Sequence, residues 1–200
     1  MKRVAILLAV AATALASTSP AYAATYFATL SGANENPSNA SPGTGTGTVI
    51  LDTTAHTLQV IATFSGLTSG TTASHIHCCV APPGNAGVAT TTPTFAGFPL
   101  GVTSGTYNQT FNTLQASTWN PAFITANGGT PAGAEAALAA GLAAGQAYLN
   151  IHTTNFPAGE IRGFLGGAAV GQVPTLAEWA LAALALLLTL GAWRIFRQRS

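Results

Sequence analysis

Short runs of β-branched and aromatic residues, each ended by glycine, proline or asparagine, recur through the middle of this 200-residue chain. β-branched and aromatic residues favour extended backbone, whereas glycine, proline and asparagine favour turns. Proline-rich stretches over 33–43 and 81–101 predict loops. The remaining pattern predicts seven strands, near residues 25–32, 45–51, 57–65, 73–80, 103–112, 146–153 and 159–166. Such a set predicts an all-β fold, an antiparallel β-sandwich or barrel.

One short helix is expected within this central region. In the segment 132–144, Leu138 and Leu142 are four residues apart and would supply the buried side of a helix. Thr130 is a suitable N-cap, Pro131 suits the first helical position, and Gly145 suits the end. We therefore expect one short helix among the strands.

Ionisable residues are scarce, which excludes several classes of function. Charged residues make up 6% of the chain, against roughly 25% in an average soluble domain. Residues 24–173 contain one basic residue, Arg162, and four acidic residues, so the formal charge of this region is −3. A region with one arginine and no lysine cannot neutralise a run of phosphates, so the sequence argues against nucleic acid as a partner. With Asp52 as the single aspartate and no paired carboxylates, the sequence predicts no catalytic residues.

Three predicted strands place polar side chains on one face and apolar side chains on the other. Successive side chains of a strand point to opposite faces, and the apolar sets, such as Ile76, Cys78 and Val80, are the natural core faces. The polar sets are His75, His77 and Cys79; Tyr148, Asn150 and His152; and the ion-pair candidates Glu160 and Arg162. Three of the four histidines therefore lie on polar faces that could be neighbours.

These histidines allow a metal-site hypothesis. A His-x-His pair directs His75 and His77 at one point, and His152 would complete a three-nitrogen set suited to copper or zinc. Glu160 is a candidate oxygen ligand or a partner of a ligand, and Cys79 is a candidate sulfur ligand. The alternative is that these groups hydrogen-bond to one another in a purely structural network. The sequence leaves both alternatives open.

Two adjacent cysteines, Cys78 and Cys79, are the only ones in the chain. An oxidising compartment would favour a bridge between them. Neighbours in an extended strand point to opposite faces, however, so a bond between them needs an unusual backbone. Three states stay open: a vicinal disulfide in a turn, free or intermolecular thiols, and metal ligation.

Both ends of the chain are apolar and carry basic residues. Lys2 and Arg3 precede an apolar stretch, and a small-x-small site ends at Ala23, which predicts a signal peptide over residues 1–23 for signal peptidase. The uncharged run 179–193 would reach about 22 Å as a helix, short of the roughly 30 Å core of a bilayer. Tryptophans flank this run and arginines follow it, so we expect a C-terminal transmembrane helix that leaves the preceding region outside the cytoplasm.

The C-terminal segment 173–200 resembles the bacterial IPTL-CTERM sorting domain, a relative of the PEP-CTERM signals. A short motif, an apolar helix and a basic end follow one another in the same order, and Val173 stands where isoleucine is usual. The motif residues are Pro174, Thr175, Leu176, Glu178 and Trp179. The resemblance implies a Gram-negative-type bacterium and processing by an exosortase-like enzyme. The apolar helix would anchor the chain in the inner membrane, transiently or permanently.

The central region, residues 24–172, resembles the CHRD domain from about residue 26 to residue 165. The matching motifs are Phe64-Ser65-Gly66-Leu67, His75-Ile76-His77, Asn120-Pro121, Tyr148-Leu149-Asn150-Ile151-His152-Thr153 and Gly159-Glu160-Ile161-Arg162-Gly163. Cys78 and Cys79 depart from many members, which have glycine or another small residue there. The resemblance implies an extracellular, mostly β domain and brings no established biochemical activity.

Two functional hypotheses follow. The first is an exported cell-surface or extracellular protein that acts as a non-catalytic structural or binding module. Exposed threonine-rich strands of low charge would suit contact with surface polysaccharide or with the matrix. The second is a metal-binding extracytoplasmic protein that uses His75, His77 and His152.

Overall fold

Seven strands and two helices make up residues 23–167, the part of the chain that the computed structural model describes. The helices are α1 (Pro121–Ala126) and α2 (Pro131–Ala143). The strands are β1 (Ala24–Ser31), β2 (Thr44–Asp52), β3 (Thr57–Ser65), β4 (Thr71–Cys78), β5 (Gly105–Asn112), β6 (Ala147–Thr153) and β7 (Ile161–Phe164). Every predicted strand is present, with its ends shifted by two residues at most, and the all-β antiparallel prediction is confirmed.

Two predictions concern the ends of the chain. The expected signal peptide and the expected transmembrane helix lie outside the described residues. Within residues 23–167, neither helix combines the length and the hydropathy that a membrane span requires.

The strands form one antiparallel sheet that curls into two facing halves. Its order is β4-β6-β7-β1-β2-β3-β5. β7 and β1 share a single register pair, Ser31 with Arg162, so the sheet bends at this joint. Across the core, a Cβ on Gly47 of β2 would lie 2.6 Å from Cδ2 of Leu149 on β6. The three-stranded half (β4, β6 and β7) therefore packs against the four-stranded half (β1, β2, β3 and β5), as in a sandwich.

Alternate residues of both halves form the core, as the period-two pattern predicts. Fully burying one such side chain stabilises the fold by about 1.5–3 kcal/mol. The residues at its centre, each at most 3% exposed, are Leu30, Val49, Leu51, Leu58, Val60, Ile76, Leu149, Ile151 and Ile161. Val80, expected on the core face with Ile76, lies beyond the end of β4 and is exposed, because the strand ends at Cys78.

Both helices begin with a polar cap followed by proline. The Thr130 hydroxyl accepts a hydrogen bond from the Gly133 amide (3.1 Å), so the predicted start of α2 is confirmed. The Asn120 side chain likewise accepts from the Ala122 amide (3.0 Å) and starts α1. The prediction of a single helix was therefore wrong: α1 spans six residues, too few to show a helical period.

Loops cover the polar face of the three-stranded half. All seven residues of β6 are buried, although one of its faces points away from the core. The predicted loops over 33–43 and 81–101 lie against this second face. Carbonyl groups of Ala86 and Pro93 reach histidines of β4, and those of Asn34 and Pro83 reach Arg162. The chemistry-bearing side chains are therefore enclosed between sheet and loops.

Candidate functional site: three converging histidines

His75, His77 and His152 come together on this covered face. In the ladder of β4 and β6, His75 pairs with Asn150, His77 with Tyr148, and Ala73 with His152. One nitrogen of each imidazole lies within 4.8 Å of the others, and the three side chains are at most 9% exposed. The structure thus brings together the three nitrogen ligands that the sequence singles out.

A backbone carbonyl fixes the tautomer of each imidazole. A carbonyl can only accept, so the ring nitrogen that contacts it carries the hydrogen. The other nitrogen of each ring then keeps a free lone pair, and these three atoms are buried without a hydrogen-bond partner: His75 Nδ1, His77 Nε2 and His152 Nε2. The donating contacts are His75 Nε2 to Pro93 (2.6 Å), His77 Nδ1 to Ala86 (2.9 Å) and His152 Nδ1 to Pro157 (3.0 Å).

Burial keeps all three imidazoles neutral at pH 7. The pKa of His77 is lowered to about 4, mainly by desolvation; the contact with the Ala86 carbonyl raises it, and the charges of His152, His75 and Arg162 lower it. Desolvation is also the main cause of the lowered pKa of His75 and of His152. Metal ions bind neutral imidazole, so the set is in the ligating state without losing a proton.

The arrangement shares two features with histidine metal sites: each ring donates one nitrogen to a carbonyl, and its other nitrogen has no hydrogen-bond partner. Ligating histidines commonly donate their second nitrogen to a carbonyl, which orients the ring. An ion about 2.0–2.1 Å from each nitrogen needs ligand atoms roughly 3.4 Å apart, so the rings would close inward by about 1 Å. Each buried acceptor without a partner costs about 1–3 kcal/mol, and one ion would satisfy all three.

Tyr148 and Arg162 pack beside the three histidines. The Tyr148 ring stacks on His77, with centroids 4.8 Å apart and planes 6° from parallel. The Arg162 guanidinium lies 4.7 Å over the Tyr148 ring. It donates to Asn34 (2.6 Å), Asn85 (2.7 Å) and Pro83 (2.8 Å), which belong to the two covering loops. Arg162 therefore ties both loops to the sheet.

Glu160 is not brought to the histidines. Its carboxylate accepts hydrogen bonds from the Ser41 hydroxyl (2.6 Å), the Thr68 amide (2.7 Å) and the Thr153 hydroxyl. Burial would raise the pKa of Glu160, but these donors outweigh it and the pKa is lowered. Nor does Glu160 form the expected ion pair, because Arg162 faces Glu35, with 3.8 Å between Nε and Oε2.

The two cysteines are joined to each other by a disulfide. Cys78 points into the core, away from the histidines, and α2 packs on the bridge: a Cβ on Gly141 would lie 2.8 Å from the Cys79 sulfur. On its other side the bridge borders a cleft of about 360 Å³ that Val88 and Phe123 also line. The structure therefore places Cys79 with Cys78 and α2, not with the imidazole nitrogens.

The fourth histidine lies apart from the centre. His56 has a side chain 39% exposed, and its Nδ1 is 3.1 Å from the Glu135 carboxylate. That carboxylate also accepts from the Thr113 hydroxyl. His56 is thus a natural control for substitutions at the other three.

Two residues of the site were not proposed from the sequence. Asn150 was visible only as a polar neighbour of His152, and Glu35 is an isolated acid in a loop, which gives no spacing signal. The structure buries both, and Glu35 Oε1 and Asn150 Oδ1 have no hydrogen-bond partner. Desolvation raises the pKa of Glu35 to about 7, although the charge of Arg162 opposes the shift.

Fold and site define an antiparallel β domain with a buried three-imidazole centre under two loops. The CHRD domain profile matches residues 26–165, which is most of the chain, and the chain belongs to the CHRD domain family. The IPTL-CTERM motif matches residues 172–199. Both resemblances drawn from the sequence are thereby confirmed. No curated protein and no solved structure matches the chain.

The two matches together indicate an exported surface protein. The C-terminal motif also implies processing by sorting machinery of the exosortase kind.

Proposed function

We propose that this CHRD-domain protein binds one copper or zinc ion outside the cytoplasm. The ligands are His75 Nδ1, His77 Nε2 and His152 Nε2. One observation carries the proposal: one nitrogen of each ring lies within 4.8 Å of the others, and each ring has a buried nitrogen without a hydrogen-bond partner. Neutral imidazole suits both ions, so the ligand set does not choose between them.

Metal binding would link the covering segments to the sheet. Each ligand ring already donates to a segment outside the strands, through the carbonyls of Ala86, Pro93 and Pro157. An ion held by all three rings therefore connects β4 and β6 to the loop over 81–101 and to the segment between β6 and β7. A ligand that binds only the folded state raises the free energy of unfolding, by about 2.7 kcal/mol at a hundred times its dissociation constant.

Metal analysis of the purified exported protein tests the proposal. The protein is stripped with a chelator, dialysed against Cu²⁺ or Zn²⁺ and measured for bound metal. We expect one equivalent in the wild type and less than a tenth of that in His77→Phe, which keeps a ring against Tyr148 but has no lone pair. His56→Ala, the matched control, should still bind one equivalent. Substoichiometric metal in the wild type, or full occupancy in His77→Phe, would exclude the site.

A second candidate function rests on the outer face of the four-stranded half. Thr29, Thr46, Thr63 and Thr106 pair in register across β1, β2, β3 and β5, and all four are exposed. The adjoining rows add Phe27, 55% exposed, and uncharged hydroxyl and amide side chains. A row of hydroxyls without ionisable groups, beside an aromatic ring, suits a neutral polysaccharide better than a charged partner.

Co-sedimentation with insoluble neutral polysaccharides such as cellulose tests this second candidate. We expect Thr46→Lys to weaken binding at least fivefold, because it removes the 2.8 Å hydroxyl contact with Thr63 and places a charge in the row. Thr125→Lys, at an exposed position on α1, is the matched control. Equal binding by both variants, or none by the wild type, counts against the candidate.

A further inference from the structure

Two more buried acceptors lie beside the three-histidine centre. Among the described residues, five buried side-chain nitrogen or oxygen atoms have no hydrogen-bond partner, and three of them are the imidazole nitrogens. The other two are Glu35 Oε1 and Asn150 Oδ1. Buried polar atoms are paired in the great majority of cases, so a group of unpaired atoms needs an explanation, such as a bound water or ion.

Strand register puts Asn150 against the histidines. It is the direct partner of His75 and lies two residues from His152, so all three side chains share one face of the sheet. Directly opposite residues have Cβ atoms about 4.5–5.5 Å apart, and the next residue on the same face is about 7 Å away. The amide of Asn150 therefore borders the space onto which the imidazoles open.

Glu35, in the loop over 33–43, brings its carboxylate beside the Asn150 amide. A Cβ on Gly159 would lie 2.6 Å from Asn150 Nδ2, 2.8 Å from Asn150 Oδ1 and 2.8 Å from Glu35 Oε1, so the amide and the carboxylate flank a common point. Gly159 has φ +131°, a conformation that L residues rarely adopt. The absence of a side chain at Gly159 leaves room between the two oxygens.

No carboxylate or thiol among the described residues joins the three imidazoles in one group of mutually close ligand atoms. Glu160 accepts three structural hydrogen bonds, Glu135 contacts His56 and Thr113, and the cysteines form a disulfide. Copper and zinc in protein sites commonly take four ligands, and an ion with three protein ligands completes its set with solvent.

We propose, on the basis of the metal site proposed above, that a water molecule fills this position. Its oxygen binds the ion, and its two hydrogens are donated to Glu35 Oε1 and Asn150 Oδ1. Water suits this position because it offers a lone pair to the ion and two O–H groups to the two acceptors. The ion then has an exchangeable coordination position, as in sites that bind small molecules, and differs from a closed structural ion.

A direct bond is the competing arrangement. A protonated Glu35 could donate its hydrogen to Asn150 Oδ1, which would satisfy both atoms without water. The raised pKa of Glu35 is compatible with either arrangement. The two arrangements differ in whether exchangeable hydrogens lie next to the ion.

Pulsed EPR on the full exported chain loaded with Cu²⁺ separates the possibilities. We expect couplings from imidazole nitrogens together with strong proton couplings that disappear after exchange into D₂O. Nitrogen couplings without strong exchangeable protons would overturn the water proposal and leave the metal site standing. Absence of the imidazole couplings would exclude the metal site, and the water with it.

Azide titration of the same Cu²⁺ protein gives an independent readout. Azide displaces bound water, so removing one acceptor should make displacement easier. We expect Asn150→Leu to bind azide about fivefold more tightly than the wild type, the effect of one lost hydrogen bond. Asn108→Leu, on the exposed side of β5, should bind azide as the wild type does.

Glu35→Leu provides a second variant if Asn150→Leu fails to fold. It removes the other acceptor, and the same fivefold change is expected. An azide affinity unchanged in whichever variant folds would overturn the proposal.

Discussion

Replacing His77 should change how the stability of the metal-free protein depends on pH. The pKa of His77 is about 4 in the folded protein, against 6.5 for the unperturbed group. Between these values the unfolded chain binds a proton that the folded protein excludes, so acidification favours unfolding. His77 thus contributes stability that is present above pH 6.5 and is lost as the pH falls towards 4.

The size of the effect follows from the pKa difference. One pKa unit corresponds to 1.36 kcal/mol, so lowering the pH from 7 to 4.5 should remove about 2–3 kcal/mol through this one side chain. Other groups act over the same range. The pKa of Glu35 is raised to about 7, so Glu35 contributes in the opposite direction as the pH falls from 7 to 4.5. Comparing the wild type with one variant cancels these contributions.

Urea unfolding of chelator-treated wild type and His77→Phe at pH 7 and pH 4.5 provides the measurement. Phenylalanine keeps the ring beside Tyr148 and cannot take up a proton. The stability advantage of the wild type over His77→Phe should shrink by about 2–3 kcal/mol at the lower pH. Asn108→Leu, which removes no titrating group, should show no such change. A difference that is the same at both pH values would refute the claim that burial holds His77 neutral.

Three further substitutions test the surrounding structure, each by urea unfolding at pH 7. Glu160→Gln should lower the free energy of unfolding by about 3 kcal/mol, because three donors lose a buried carboxylate; a loss under 0.5 kcal/mol would contradict this role. Arg162→Met should cost about 3–5 kcal/mol, since it leaves Glu35 buried without its positive charge, and both covering loops should become protease-sensitive; unchanged proteolysis would count against Arg162 as their tie. Gly141→Ala should cost about 1–3 kcal/mol because its Cβ would press on the Cys79 sulfur, and full stability would show that α2 can shift freely.

Strand positions were predictable because burial imposes a period of two. In β4 the alternation assigns Ile76 and Cys78 to the core and His75 and His77 to the opposite face, and the structure agrees. The same alternation cannot say what lies over the second face. That depends on two loops whose path is set by long-range contacts, such as those of Arg162 with Asn34 and Pro83.

The three histidines of the candidate site were predictable, and the residues around them were not. A His-x-His strand and a third histidine on a neighbouring strand are visible in the sequence. Glu35 is not, since an isolated acid in a loop has no periodicity to place it. The expected pairing of Arg162 with Glu160 failed for a related reason: same-face spacing along one strand does not reveal that donors from three other segments occupy Glu160.

The ligand set is tested most directly by X-ray absorption at the metal edge of the copper- or zinc-loaded protein. We expect three imidazole rings with nitrogen at about 2.0 Å, one further oxygen and no sulfur, and two imidazoles in His152→Ala. A sulfur shell near 2.3 Å, or a wild-type spectrum that fits without three imidazoles, would contradict this expectation.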